Sequence, residues 1–280
     1  MIIPTKLKIK GAGLIAVLIA FARKCAGLQN ITVVKRGGFN WSLDLREGID
    51  FAIYLAGYFE PNTISSYKRI LRNGDVAIDI GANIGSHTLH LANAVGPDGK
   101  VLAFEPTAEI FSKLKENLRL NHLLVDRVQA FQIMLREQNG MEVPKEIFAR
   151  WPLKEISEAH PLHGGVAVST EGAEAKTLDT MVLEHGIENV KLIKLDVDGF
   201  ETEVLSGATE TIERDKPAVI FEYSPYTSEE KNIDPNGLID FFISRNYSFY
   251  ELSGRPFKNV SGYLPPVKPG SGLNILALHR

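Results

Sequence analysis

The chain has 280 residues, 44% of them hydrophobic, and its 31 Lys and Arg nearly balance its 34 Asp and Glu for a formal net charge of −3. This composition excludes a disordered chain, and the balance of charges argues against nucleic acid as a partner. The single cysteine, Cys25, excludes an internal disulfide and a zinc site made only of cysteines, which favours a reducing compartment. We therefore expect a cytoplasmic protein, with membrane association as an open alternative.

Residues 1–60 form an extension ahead of the main domain. Their apolar run, 11–22, is shorter than the roughly 18 residues needed to span a bilayer. We predict an apolar helix over 11–28, followed by short strands around Asn30–Val34 and Trp41–Leu45. Basic residues flank the run on both sides: Lys6, Lys8, Lys10, Arg23 and Lys24.

Three interpretations of this amino-terminal helix stay open. The favoured one is a helix that docks on the core. The second is peripheral contact with a membrane through residues 6–24, where basic flanks suit an anionic surface. The third is a cleaved export signal, which Arg23 and Lys24 disfavour because processing requires small neutral residues there.

The main domain, 61–280, alternates short apolar strands with amphipathic helices, which predicts an α/β fold with a mainly parallel sheet and helices on both faces. The expected strands are 76–80, 100–104, 127–135, 191–197, 218–223, 247–252 and 273–279. The expected helices are 62–71, 86–95, 108–120, 176–184, 200–212 and 238–244. An insert over 136–176 is too long for a plain connection and is either a wall of the site or a packed excursion without a role.

The strongest chemical motif is D-I-G-A-N-I-G at 79–85, between the first strand of the main domain and a helix. Glycines there let the backbone turn tightly and approach a ligand closely. Asn83 stands where a dinucleotide fingerprint requires its second glycine. Asp79 suits a cationic or hydroxylated ligand better than a pyrophosphate, so a nicotinamide-dependent oxidoreductase is the less favoured alternative.

Carboxylates follow the next strands at their carboxyl ends, where ligands of parallel sheets bind. Glu105 can accept hydrogen bonds from both hydroxyls of a ribose, or it simply leads into the next helix. Glu222 ends a later strand, where a carboxylate is costly unless it is paired or solvated. We expect it to have a functional role or to form an ion pair with Lys194.

The segment K-L-D-V-D-G-F-E at 194–201 closes another strand. Asp198 and Glu201 have the spacing of a capping box, and we favour that cap for Asp198. Asp196 is then the carboxylate of the pocket. Lys194 shares a strand face with Asp196 and either holds an anionic group or pairs with a carboxylate.

Together these motifs resemble the FkbM-type family of class I S-adenosylmethionine-dependent methyltransferases. The resemblance covers about Gly57 to Tyr223, and Asp198 replaces a glutamate that is usual in the family. It rests on G-Y-F-E-P at 57–61, G-D-V-A-I-D-I-G-A-N-I-G at 74–85, F-E-P at 104–106, E-N-L-R-L-N at 116–121, T-L-D at 177–179, K-L-D-V-D-G-F-E at 194–201, L-S-G-A at 205–208 and F-E-Y at 221–223.

This resemblance implies a Rossmann-like sheet of seven strands, mainly parallel with the last strand antiparallel. It implies S-adenosylmethionine as the methyl donor and a hydroxyl of a sugar, glycan or other small natural product as the acceptor. Carried over by position, the cofactor-binding residues are Asp79, Gly81, Asn83, Gly85, Ser86, His87, Thr88, Glu105, Pro106 and Asp196.

The base that removes the acceptor's proton stays open between Asp196, Glu222 and His87, and His160 and His163 of the insert are weaker alternatives. Acceptor-binding residues are expected to be Glu60, Lys194, Asp198 and Tyr223. A Mg²⁺ site at Asp196, Asp198 and Glu222 is the less favoured option, and we expect no metal. A catalytically inactive module that keeps the cofactor fold is a further alternative. The sequence does not indicate an oligomeric state.

Overall fold

The computed structural model describes residues 5–154, 156–161, 163–231, 234–257, 267 and 271–280. Its helices are α1 (Thr5–Cys25), α2 (Gly48–Ala56), α3 (Pro61–Ile70), α4 (Thr88–Ala94), α5 (Ala108–Arg119), α6 (Leu178–Glu184), α7 (Glu201–Ser206), α8 (Thr209–Asp215), α9 (Pro225–Glu230) and α10 (Pro235–Ile243). Its strands are β1 (Ile31–Arg36), β2 (Phe39–Asp44), β3 (Val76–Ile80), β4 (Lys100–Phe104), β5 (Val128–Phe131), β6 (Ile133–Leu135), β7 (Glu146–Arg150), β8 (Val166–Ser169), β9 (Glu174–Lys176), β10 (Val190–Leu195), β11 (Ala218–Tyr223), β12 (Tyr247–Glu251) and β13 (Leu273–His279).

Among the described residues, seven strands form the central sheet in the order β12-β13-β11-β10-β3-β4-β5. The neighbours from β11 to β5 run parallel, whereas β13 is antiparallel to both β11 and β12. The sheet confirms the predicted class I methyltransferase fold with an antiparallel last strand. Strand order reverses between β3 and β10, which is where sheets of this type bind ligands.

Short apolar runs form the central strands because both sheet faces are covered. Alternate residues of β4 divide between two cores: Val101 and Ala103 pack on one face, and Leu102 and Phe104 on the other. Helices α3, α4 and α5 contribute to the first core, and α6, α7, α8 and α10 contribute to the second. The carboxyl ends of the strands are therefore held between two packed layers.

Two elements expected to be continuous are interrupted. The strand expected over 127–135 breaks at Gln132, after which β6 leaves the central sheet and pairs in parallel with β9. The helix expected over 200–212 breaks at Gly207, where a Cβ would overlap the carbonyl oxygen of Arg136. The second half, α8, restarts with the carboxylate of Asp179 accepting the N–H groups of Glu210 and Thr211 at 3.0 and 2.8 Å.

The amino-terminal extension consists of α1, the antiparallel hairpin of β1 and β2, and α2. Helix α1 spans Thr5–Cys25, whereas the sequence predicted 11–28. The helix therefore begins six residues earlier and ends three residues earlier than predicted. Trp41 of β2 is fully buried in the same core as Leu89 of α4. Among the helices of the described residues, none combines the length and apolarity needed to cross a bilayer.

The insert holds a second antiparallel pair, β7 and β8, which packs between the extension and the sheet. The N–H of Gly48 donates to the carbonyl oxygen of Trp151 at 2.8 Å, and the guanidinium of Arg150 lies 2.6 Å from the carboxylate of Glu47. Asn83 donates to the carbonyl oxygen of Ala149 at 3.1 Å. These contacts hold the insert over the carboxyl edge of the central sheet.

Candidate active site

A cavity of about 770 Å³ opens at the carboxyl ends of β3, β4, β10 and β11. Its volume lies in the range of pockets that bind small molecules. The strand ends supply its polar wall, while α1, α2 and the insert supply apolar residues. Most of the site residues expected from the sequence therefore lie on one cavity.

The glycine-rich turn runs close to the end of β10. Gly81 has a φ of +76°, and a Cβ at this position would overlap the carbonyl oxygen of Asp196. Asn83 also has a left-handed φ, of 48°. Gly85, with a φ of +92°, leaves room for α5, because a Cβ there would lie 2.9 Å from Cδ1 of Leu114. A side chain at Gly81 or Gly85 would therefore push the turn away from its neighbours. Glycine at both positions lets the turn place Gly81 and Asn83 in the cavity wall.

Glu105 is anchored by neighbouring backbone and hydroxyl groups. Its Oε1 accepts the N–H and the hydroxyl of Thr107 at 2.9 and 2.6 Å. Its Oε2 accepts the N–H of Asn83 at 3.0 Å, which links the second strand end to the glycine-rich turn. Burial raises the pKa of Glu105, and these hydrogen bonds offset the rise only in part. A carboxylate oriented this way retains acceptor capacity on Oε2 toward the cavity.

Lys194 is a buried cation among carboxylates. Its Nζ donates to the carbonyl oxygen of Gly81 at 3.1 Å and lies 3.4 Å from Asp196 Oδ2 and 3.6 Å from Asp79 Oδ1. Burial alone would lower the pKa of Lys194, but Asp196, Asp79 and Glu60 outweigh it and raise the pKa. The ammonium is therefore charged. It pairs with carboxylates, which is one of the two roles that the sequence predicted for Lys194.

Asp79 lies behind this wall rather than on it. Its side chain is fully buried, and Oδ2 accepts the hydroxyl of Thr88 at 2.7 Å. The pair ties the end of β3 to the first turn of α4. In this structure Asp79 acts on the cavity through Lys194, which it holds from the inner side.

Four acidic side chains crowd the edge formed by β10 and β11. Burial, with Asp196 and Glu201 nearby, raises the pKa of Asp198 to about 8. Burial, with Asp196 and Asp198 nearby, raises the pKa of Glu222 well above its ordinary value. Lys231 counters part of this negative charge, because its Nζ donates to the carbonyl oxygen of Asp198. The cavity therefore has one side crowded with carboxyl groups, and a cationic ligand bound there would favour their ionised forms.

The capping box favoured for Asp198 is wrong. Helix α7 begins at Glu201 with Phe200 at its N-cap position, and no side chain caps it. Asp198 has a left-handed φ of 49°, which places it outside the helix. The carboxylate of Glu201 instead accepts the N–H of Val197 at 3.1 Å. Asp198 is thereby left at the cavity.

His87 and Glu60 form a second polar pair in the wall of the cavity. His87 Nε2 lies 3.4 Å from Glu60 Oε2, which also accepts the hydroxyl of Thr63 at 3.1 Å. Burial would raise the pKa of Glu60, but His87, Lys194 and Thr63 lower it to about 2. The imidazole is buried between the edges of Phe59 and Tyr67.

The chemistry of these strand ends is that of a small-molecule site, and comparison with known proteins identifies its family. The methyltransferase FkbM domain matches residues 79–249 of this chain. The chain belongs to the FkbM methyltransferase family. The matched region contains the glycine-rich turn, Glu105, Lys194, the acidic edge and Glu222.

Curated relatives of this FkbM family member include three named methyltransferases. The 2-O-methyltransferase NoeI of Sinorhizobium fredii is 26% identical over 168 residues, covering 55% of this chain and 64% of the relative. The hexuronic acid methyltransferase AglP of Haloferax volcanii is 32% identical over 142 residues, covering 50% and 52%. The 31-O-demethyl-FK506 methyltransferase FkbM of Streptomyces tacrolimicus is 30% identical over 164 residues, covering 49% and 60%. The chain thus spans less than two thirds of each relative.

Among solved structures, the methyltransferase FkbM from Methylobacillus flagellatus aligns with 80% of this chain and 49% of its own. Its TM-score is 0.47 and its sequence identity is 16%. A SAM-dependent O-methyltransferase from Thermotoga maritima aligns with 92% of this chain and 80% of its own, at a TM-score of 0.42 and 16% identity.

Most site residues expected in this FkbM family member line the cavity. They are Glu60, Gly81, Asn83, Ser86, His87, Glu105, Pro106, Lys194, Asp196, Asp198 and Glu222. Asp79, Gly85 and Thr88 support the wall from behind. Tyr223 points away from its neighbour Glu222, as alternation along a strand requires, and packs against the second core.

The insert contributes the histidines that the sequence analysis ranked lower. His163 is buried in the cavity wall, and its ring stacks on that of His160 with centroids 4.0 Å apart. Its Nδ1 accepts the N–H of Gly165 at 3.0 Å. Burial, with His160 and Lys231 nearby, lowers the pKa of His163 to about 4, so the ring is neutral at pH 7. Phe148 contacts both rings from β7.

Sequence reasoning missed two residues of the acidic side. Tyr226 and Lys231 line the cavity from α9 and the turn that follows it. Both come after the last quoted motif, and no spacing marked them. Pro225 after the end of β11 was the available signal, because a helix beginning at a strand's carboxyl end brings its first turn to the ligand edge.

Proposed function

We propose that this chain transfers a methyl group from S-adenosylmethionine to a hydroxyl oxygen of a sugar, glycan or other small natural product. The main support is that Glu105, the glycine-rich turn and the acidic edge line the same cavity in a member of the FkbM family. The names of the relatives support the acceptor class, since NoeI is a 2-O-methyltransferase and AglP acts on a hexuronic acid.

The residues of the cavity fit this cofactor. Glu105 presents an anchored carboxylate for the ribose hydroxyls, and Gly81, Asn83 and Ser86 would line the methionine portion. A sulfonium at the acidic edge would favour the ionised forms of the carboxyl groups, which in turn attract the cation strongly in a partly desolvated site. When bound, S-adenosylmethionine supplies an electrophilic methyl group. The protein's part is to hold the acceptor hydroxyl in line with it, and such alignment alone can contribute ~7–11 kcal/mol.

Among the candidate bases, we favour Glu222. Burial beside Asp196 and Asp198 raises the pKa of Glu222, which makes its carboxylate a stronger base in the ionised form. Asp196 is weaker in this role because Lys194 lies 3.4 Å from its carboxylate. His87 faces Glu60, so its Nε2 is directed toward a carboxylate already.

The proposed transfer does not use a metal. Among the described residues, the one group of three His, Cys, Asp or Glu with ligand atoms within 4.8 Å of one another is His160, His163 and Glu230. Asp196, Asp198 and Glu222 do not converge in this way. Lys194 and Lys231 supply positive charge to that edge instead. We expect turnover to be unchanged after treatment with a chelator.

Methyl transfer to a panel of sugars, uronic acids and polyol natural products tests the proposal. Asp196→Asn and Glu222→Gln should each lower turnover about 100-fold or more if their charge aligns the donor or removes the proton. Both variants should still bind S-adenosylhomocysteine. Glu210→Gln, at an exposed helix position, is the matched control and should keep full turnover. Normal turnover in Glu222→Gln would contradict the assigned base.

A nicotinamide-dependent oxidoreductase and an inactive binding module remain as outcomes of the same experiments. The first requires reduction or oxidation of a substrate with NAD. The second requires cofactor binding with no transfer to any acceptor in the panel.

A further inference from the structure

Within residues 11–25, helix α1 presents most of its large apolar side chains to solvent. Leu14, Leu18 and Phe21 follow the i, i+4, i+7 spacing of one helix face and are 73%, 71% and 68% exposed. Val17, between them on the same side, is 68% exposed. A surface helix of a globular domain normally turns such a stripe toward the core. The outward stripe therefore needs a partner that is apolar.

The opposite face of α1 fixes this orientation. Ala12, Ala16 and Ile19 have the same spacing and pack against the core. Gly13 lies on that inner side, where a Cβ would be 2.8 Å from the carbonyl oxygen of Leu153. Ala12, Gly13 and Ala16 are small, which lets this part of the helix sit close to the body of the protein. They also determine that the larger residues face outward.

The charged residues in the first 43 positions of the chain are all basic. Seven basic residues and no Asp or Glu precede Asp44, although the whole chain has a net charge of −3. Arg23 and Lys24 occupy the last turn of the helix. Arg23 continues the inner row, because its guanidinium donates to the carbonyl oxygen of Gln29 at 2.7 Å and lies 5.9 Å from the centre of the Tyr54 ring. Lys24, three residues after Phe21, is exposed and adds positive charge at the end of the apolar stripe. An apolar stripe flanked by basic residues complements an anionic lipid surface.

We propose that α1 docks this protein on an anionic bilayer, with the helix lying in the plane of the interface. Leu14, Val17, Leu18 and Phe21 enter the boundary between headgroups and acyl chains. Lys24, which is exposed at the end of the helix, contacts lipid phosphates. The proposal places the helix on the membrane and not across it, because no helix of the described residues is both long and apolar enough to span a bilayer.

The docked helix also belongs to the wall of the cavity. Ala12 and Leu153 line the space that holds Glu105 and Asp196. Seating α1 on a bilayer therefore brings the cavity to the lipid surface. This step rests on the proposed function, and it narrows the acceptor to a hydroxyl of a membrane-borne molecule such as a lipid-linked glycan.

Vesicle flotation with the full chain tests the docking. The probes are vesicles of phosphatidylcholine alone and vesicles in which about one quarter of the lipid is phosphatidylglycerol. We expect binding to the anionic vesicles, at least about tenfold weaker binding to the neutral ones, and weakening by salt. The triple variant Leu14→Gln, Leu18→Gln, Phe21→Gln should lower the partition coefficient at least about tenfold.

The matched control replaces exposed leucines elsewhere. Leu123 and Leu183 are 76% and 80% exposed, so Leu123→Gln with Leu183→Gln removes a similar kind of surface and should leave vesicle binding unchanged. Circular dichroism and S-adenosylhomocysteine binding check that each variant is folded. Those checks are independent of lipid, so failure of docking is distinguishable from failure of the proposed function.

Two results would overturn the docking proposal. The first is equal flotation of the wild type and the triple variant, or no flotation of either. The second is a wild-type dimer in light scattering that the triple variant converts to a monomer, without vesicle binding, since the stripe would then be covered by a second copy.

Discussion

At the scale of single residues, Lys194 organises the candidate site. Its ammonium is placed between Asp79, which lies behind the wall, and Asp196, which lies on it. It also donates to the carbonyl oxygen of Gly81 in the glycine-rich turn. One buried cation thus links the ends of β3 and β10, and it offsets part of the negative charge of Asp79 and Asp196.

Lys194→Met should destabilise the fold by ~3–5 kcal/mol, because it leaves the fully buried carboxylate of Asp79 without its cation. Lys191→Met is the control, since Lys191 is exposed on the same strand and should change stability by less than about 0.5 kcal/mol. Urea unfolding of both variants measures the difference. Equal effects would mean that the ion pairs of Lys194 contribute little.

Asp198 makes stability depend on pH. Its pKa rises from its ordinary 3.8 to about 8 in the fold, so the folded state binds the proton more tightly than the unfolded state. Its contribution is full below about pH 4 and is lost as pH rises through about 8. Asp198→Asn should therefore become more stable relative to the wild type as pH rises from 5 to 9, because only the wild type loses this contribution. Melting temperatures across this range test the sign, and a constant difference would contradict it.

At the scale of elements, the glycine-rich turn is fixed by both conformation and space. Gly81 combines a left-handed φ with contact to the backbone of Asp196. Gly74 also has a positive φ, of +90°, but a Cβ there would meet nothing within 4 Å. The two glycines therefore separate the cost of the backbone conformation from the cost of the clash.

Gly74→Ala should cost ~1 kcal/mol, which is the conformational penalty alone. Gly81→Ala should cost at least about 2 kcal/mol more and should weaken cofactor binding, because the turn and the end of β10 must move apart. Urea unfolding and a cofactor titration of the two variants compare them. Equal losses of stability would show that the close approach at Gly81 is not maintained in solution.

At the scale of the whole molecule, the positions of the strands along the chain and the carboxyl-edge site were accessible from sequence because both depend on local patterns, whereas the antiparallel last strand was implied only by the family resemblance. Apolar runs marked the central strands, and carboxylates directly after them, such as Glu105 and Glu222, marked the site. Parallel topology then places these strand ends together without further information.

The unpredicted features depend on contacts between distant residues. The break after β5 accompanies a hydrogen bond from Gln132 to the carbonyl oxygen of Glu171 at 2.8 Å, across 39 residues. The break between α7 and α8 comes from close packing of Gly207 on Arg136. The role of Lys231 follows from where α9 ends. No hydrophobic periodicity and no motif in the sequence indicates any of these contacts.

Calorimetric titration with S-adenosylhomocysteine, with NAD as the parallel ligand, tests the central claim most directly. We predict saturable binding of S-adenosylhomocysteine and no binding of NAD. Glu105→Gln should weaken that binding about 10- to 100-fold, because a hydrogen bond to a charged group contributes ~1.5–3 kcal/mol. Glu109→Gln, at a 59% exposed carboxylate on the next helix, should not weaken it. Binding of NAD instead, or S-adenosylhomocysteine binding unaffected by Glu105→Gln, would contradict the methyltransferase assignment of this cavity.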